Sequence, residues 1–109
     1  MSFDVDLVER VRSALRGRRG LAEKKMFGGL AFLLRGNMCC GVLNRELIVR
    51  VPPDETDDVL AEAHTRAFDF TGRPMRGFVV VEPAGCEDEA ALAEWVVRAV
   101  EFASGLRAK

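Results

Sequence analysis

Cys39-Cys40 carries the most inherent chemistry of any residues in this chain. A thiolate is a nucleophile, a metal ligand and half of a disulfide, but each use needs a partner in the right place. A tetrahedral metal site needs four converging ligands, and only Cys86 and His64 remain to complete one. Residues 38–43 read as a strand, on which neighbouring side chains point to opposite faces, so the two thiols are expected to diverge. They then act as small packed hydrophobes. In the expected hairpin register Cys39 lies opposite Arg50, and a cation there favours the thiolate. A thiol-dependent enzyme built on Cys39 would still lack a base on that face.

His64, the single histidine, is expected on the surface at a helix C-terminus, where it complements the helix dipole. Gly28-Gly29 lacks the strand–loop–helix setting and the Lys-Ser/Thr of a phosphate loop, so it reads as a structural turn. Residues 10–25 hold Arg10, Arg12, Arg16, Arg18, Arg19, Lys24 and Lys25 against Glu23 alone, in a chain whose net charge is −1. That strip is a candidate footprint for an acidic partner or for phosphates. Arg73 and Arg76 flank Pro74, and with Lys24 and Lys25 they could form an anion cradle. No acid/base pair or ligand cluster is legible, and neither a cofactor nor a metal is expected.

These residues must be placed by the elements. A first helix over 4–16 follows from Leu7, Val8, Val11, Ala14 and Leu15 recurring on one face. A second is expected after Pro52-Pro53, with Asp54 as N-cap and a face of Thr56, Val59, Leu60, Ala63 and Ala67. A third, over 87–106, aligns Leu92, Trp95, Val96, Ala99, Ala103 and Leu106. Between the first two lie β-rich runs at 30–35, 38–43 and 46–51, joined by Gly36-Asn37 and Asn44-Arg45, which suit tight antiparallel hairpins. Residues 24–27 could add a strand before Gly28-Gly29, and 77–82 form another between Pro74 and Pro83.

The first hairpin would pair Leu34 with Cys39, Leu33 with Cys40, Phe32 with Gly41 and Ala31 with Val42. The second would pair Val42 with Leu47, Gly41 with Ile48, Cys40 with Val49 and Cys39 with Arg50. One face then carries Ala31, Leu33, Met38, Cys40, Val42, Leu47, Val49 and Val51, ready for helices. The other carries Leu30, Phe32, Leu34, Cys39, Gly41, Leu43 and Ile48, too apolar to remain in water. Phe32, Leu34, Leu43, Ile48 and Arg50 are therefore the expected contact surface, and a symmetric homodimer is the simplest cover.

A chain of 109 residues, 49% hydrophobic and 30% charged, is expected to be one globular domain over 1–109 with a packed core. No run reaches the length of a membrane span. An odd cysteine count without framework spacing, and an acidic N-terminus, fit a cytoplasmic protein.

Lys25-Met26-Phe27-Gly28-Gly29, Phe32, Gly36-Asn37-Met38, residues 47–50, 68–70, Arg73-Pro74-Met75, and Trp95 with Ala99 together resemble the N-terminal domain of TfoX/Sxy-type competence regulators, over about residues 20–106. The resemblance implies a two-layer α+β fold, helices against an antiparallel sheet, in the order helix, strands, helix, strand, helix. Met26, Phe27, Gly28, Gly29, Arg73, Pro74 and Met75 are its motif residues. Full-length regulators of this type carry a second, helical C-terminal domain, which this chain does not include, and act in switching on DNA-uptake genes. Cys40 stands where the family often has a small residue such as alanine. The expected function is a non-enzymatic interaction or regulatory module with a protein partner or itself. The alternative is a nucleic-acid-associated regulator using Arg12, Arg16, Arg18, Arg19, Lys24 and Lys25.

Overall fold

The computed structural model describes residues 3–26, 28–69, 72 and 74–107. The element order is α1 (Val5–Leu15), β1 (Leu21–Met26), β2 (Gly29–Leu34), β3 (Asn37–Leu43) and β4 (Glu46–Arg50). A 3-10 turn (Pro53–Glu55), α2 (Thr56–Leu60), β5 (Thr65–Ala67), β6 (Phe78–Val81), α3 (Pro83–Cys86) and α4 (Glu89–Ser104) follow. The strands form one sheet in the order β1-β2-β3-β4-β6-β5, with every neighbouring pair antiparallel. This is the expected two-layer α+β architecture. No helix among the described residues is long and apolar enough to cross a membrane.

The main core lies between the sheet and two helices. Leu7, Val8, Val11 and Leu15 of α1 pack there with Leu92, Trp95, Val96, Ala99, Val100 and Ala103 of α4. Burying each such aliphatic side chain contributes about 1.5–3 kcal/mol. Asp4 caps α1 by accepting from Asp6 N at 2.9 Å, and Asp88 caps α4 by accepting from Ala91 N at 3.2 Å. Each satisfies an amide that the first helical turn leaves without an internal partner. Trp95 of α4 is nearly buried, with the Arg98 guanidinium 4.4 Å from its ring centroid. Arg98 also donates twice to Glu62, at 3.0 and 2.8 Å, just beyond α2.

The second hairpin has the expected register, with Val42 opposite Leu47, Gly41 opposite Ile48 and Cys40 opposite Val49. The first does not. Its turn is Arg35-Gly36, with Leu34 opposite Asn37, so Gly36-Asn37 is not the link. Arg35 has φ +51° and Gly36 φ +86°. Positive φ at both central positions is the type I′ requirement, and glycine suits the second of them. Moving the turn by one residue moves the register by two, which by itself keeps each side chain on its face. A further one-residue shift between Phe32 and Leu33 turns β2 over against Cys40 and Val42. Leu30, Phe32 and Leu34 therefore join the helix-side core, while Ala31 and Leu33 turn to the second face.

That one-residue shift is a bulge within β3. Phe32 pairs with Cys40 and Leu33 with Met38, leaving Cys39 as the extra residue of a β-bulge. Cys39 and Cys40 consequently do not diverge. Both are fully buried in the helix-side core, with their sulfurs 3.8 Å apart.

The sheet's second face is smaller and is closed within the chain. Ile48, Phe68 and Val80 form its buried centre, with Met38, Leu43 and Phe78 packed around them. The Phe68 and Phe78 ring centroids lie 6.1 Å apart.

The expected second helix is a single turn. Thr65 Oγ1 donates to the Glu62 carbonyl at 2.8 Å, His64 turns the chain at φ +64°, and Thr65–Ala67 pairs with β6. Tertiary strand pairing overrides the helical preference of Ala61-Glu62-Ala63. Ala63 is exposed and Ala67 lies in β5.

Candidate functional site

The expected apolar contact face does not exist as drawn. Phe32 is 2% exposed and Ile48 0%, both within the chain, and Leu34 is also buried. Leu43 is half-buried against Ile48. Arg50 is used internally: its guanidinium lies 5.6 Å from the Phe78 ring centroid and 5.7 Å from that of Phe102. It also donates to the Met38 carbonyl at 3.3 Å, beside the bulge. Cys39 has no cross-strand partnership with Arg50, because the bulge removes it from the ladder.

The basic strip is divided by the fold. Arg10 donates to the Cys86 and Glu87 carbonyls at 2.8 and 2.9 Å and pairs with Glu89, tying α1 to the start of α4. Arg12 grips Glu23 through two hydrogen bonds of 2.7 Å and also pairs with Glu9. This bidentate geometry holds the Glu23 carboxyl below the usual carboxylate range and raises Arg12 further. Lys24 and Lys25 are exposed on edge strand β1 and point to opposite sides, paired with Ala31 and Leu30. Arg16 is exposed at the end of α1.

Of the expected cradle of Arg73, Arg76, Lys24 and Lys25, the described Arg76 does not meet the two lysines. Arg76 donates to the Pro53 carbonyl at 2.8 Å and lies 3.7 Å from Asp57. It precedes β6, four strand spacings from β1, or about 19 Å across the sheet. Phe27, Phe70 and Arg73 lie outside the described residues. Of the other motif residues, Gly28 adopts φ +79° in the β1–β2 turn and Gly29 starts β2. Met26 and Met75 are partly exposed, and Pro74 is exposed.

Two basic residues of the strip do converge with a third that sequence reasoning missed. Arg18, Arg19 and Arg35, with Gly17, Leu34, Val100 and Ser104, line an open cavity of about 330 Å³ between the α1–β1 loop and the end of α4. Arg18 and Arg19 are exposed and form no ion pair among the described residues. The β2–β3 turn carries Arg35 into the site, where it donates to the Ser104 carbonyl at 3.0 Å. Next to it, buried Asn37 donates to the Arg107 carbonyl at 2.8 Å. The signal for Arg35 was the glycine after it, which marks the second position of a type I′ turn.

Leu34 and Val100 belong to the same buried cluster as Cys39 and Cys40. The hydrogen bond shared with Cys40 and the charge of Arg18 both push the Cys39 thiol down, although burial opposes them. Cys40 is pushed well up by that same bond and by burial. Cys86 is raised by burial and lies apart in α3. Among the described residues there is no cluster of three or more His, Cys, Asp or Glu that could hold a metal ion.

In comparison with known families, residues 13–103 match the family described as the TfoX N-terminal domain. No curated protein and no solved structure matches the chain.

Proposed function

The chain belongs to the TfoX N-terminal domain family, and we propose that it serves as a non-enzymatic regulatory module that binds an acidic protein partner through the arginine-lined cavity. The observation that carries this reading is the convergence of Arg18, Arg19 and Arg35 on one open cavity of about 330 Å³. Guanidinium groups offer paired donors that match a carboxylate. Leu34 and Val100 add an apolar wall beside them. A segment carrying carboxylates next to an aliphatic side chain complements both features.

Nucleic acid is the weaker occupant. A duplex backbone needs a run of free cations, and this run is broken. Arg12 is neutralised by Glu9 and Glu23, and Lys24 lies three residues into β1, about 10 Å beyond the start of the strand. Among the described residues no aromatic side chain lines the cavity for base stacking. A second copy is also a poor occupant, because a symmetric contact would set arginines against arginines.

Fluorescence anisotropy with a labelled peptide of alternating glutamate and leucine, and in parallel with a short random duplex, tests the reading over a salt series. Peptide binding is expected at low salt, weakening as salt rises and abolished in Arg18→Glu/Arg19→Glu. Absence of peptide binding overturns the proposal. So does duplex binding that is tighter than peptide binding and falls steeply with salt.

A further inference from the structure

We propose that Cys39-Cys40 is a redox-active vicinal dithiol, which hydrogen peroxide or a related peroxide closes reversibly into a disulfide at the β3 bulge. This inference is independent of the partner-binding reading. It rests on the placement of the two sulfurs. On a regular strand adjacent thiols point apart and cannot meet. Here the bulge places both in one core cluster, 3.8 Å apart, with both side chains fully buried.

The two sulfurs also differ in character. The hydrogen bond shared by the two thiols and the field of Arg18 make Cys39 the more readily ionised of the pair, and so the attacking group. Cys40 is the resolving thiol. Cys39 Sγ attacks one peroxide oxygen, the O–O bond breaks, and hydroxide leaves and takes up a proton to become water. The sulfenic acid so formed is then attacked by Cys40 Sγ, which releases its proton. The S–O bond breaks, the S–S bond forms and a second water departs. In balance, two thiols and one peroxide give one disulfide and two waters, and the sulfurs lose two electrons to oxygen. Both thiols are fully buried, and peroxide is small enough to reach them when the strand opens locally.

The product would be labile. Adjacent Cα atoms are held about 3.8 Å apart by a trans peptide, short of the spacing usual for a disulfide, and such strain makes the bond easy to reduce. Closure would also pull on the hairpin whose Arg35 and Asn37 hold the Ser104 and Arg107 carbonyls at the end of α4. Oxidation is therefore coupled to the seating of that helix end.

Native full-length chain is treated with hydrogen peroxide and read by intact mass, thiol titration and peptide mapping. The expected result is loss of two hydrogens in mass and of two of the three thiols. The bond should map to Cys39 and Cys40 and be fully reversed by dithiothreitol. Cys86→Ser should behave identically, and Cys39→Ala should form no intramolecular bond. Hydrogen exchange at residues 104–107 should quicken on oxidation and recover on reduction. Retention of all three thiols in wild type, gain of oxygen without an S–S bond, cross-linked dimers, or a bond that includes Cys86 would each overturn the proposal. The wild-type measurement decides the matter even if a cysteine variant fails to fold.

Discussion

Gly28 sits at φ +79° in the two-residue turn that closes β1 onto β2, a backbone region where a Cβ meets the following carbonyl. Gly28→Ala is expected to destabilise by about 1 kcal/mol, measured by urea denaturation. An unchanged midpoint would show that the turn relaxes to accept a side chain. Glu62 gives a second residue-level expectation. The two hydrogen bonds from Arg98 hold its carboxyl below the usual range. Its folded pKa is depressed, so its contribution is present above the unfolded pKa of about 4.3 and is lost as pH falls through the folded value. Glu62→Gln should flatten the acid limb of stability against pH, while stability near neutrality changes little because the pair is partly exposed. An acid limb identical to wild type would remove this pair from the account of acid unfolding.

At the level of elements, β2 shows where pattern reading stops. Residues 30–34 are apolar without alternation, so periodicity alone could not say which side faces the helices. Turn choice could not either, because moving the turn from Gly36-Asn37 to Arg35-Gly36 shifts the register by two residues; the bulge at Cys39 inverted Phe32 and Leu34 together. The helix faces of α1 and α4 were legible because their apolar residues recur at the helical period and their caps are aspartates. β5 was not, because its three residues become a strand only by pairing with β6. Asn37 is the buried polar residue that pins the hairpin to the end of α4. Asn37→Ala leaves the Arg107 carbonyl without that donor, an expected cost of about 1–3 kcal/mol, with faster amide exchange confined to 104–107 and the β2–β3 turn. Uniformly faster exchange throughout the sheet would contradict so local a role.

For the whole molecule, burial of Phe32 and Ile48 within one chain takes away the apolar surface that made a homodimer attractive. Among the described residues, the large hydrophobic side chains that stay exposed, Val5, Met26, Met75 and Val97, lie in separate segments. Scattered exposure of this kind calls for no second subunit. Static light scattering at micromolar concentration is expected to return a monomer, and a dimer mass would return attention to edge strand β1. The cavity, by contrast, was only half legible. Arg18 and Arg19 stood out as charge, but their union with Arg35 and the end of α4 depends on chain folding over many residues. The same holds for the thiol pair, whose meeting follows from a bulge that the sequence pattern does not announce.

Trp95 is the single indole in a chain that has no tyrosine. Its near burial under Arg98, itself anchored to Glu62, makes it an optical probe of one junction, where α4 meets the segment between α2 and β5. Near-ultraviolet emission from this protein reads that junction alone, with no second fluorophore to average over. If that segment detaches before the sheet dissolves, the emission change will precede the loss of far-ultraviolet circular dichroism, and a stopped-flow trace recorded both ways will separate the two events in time.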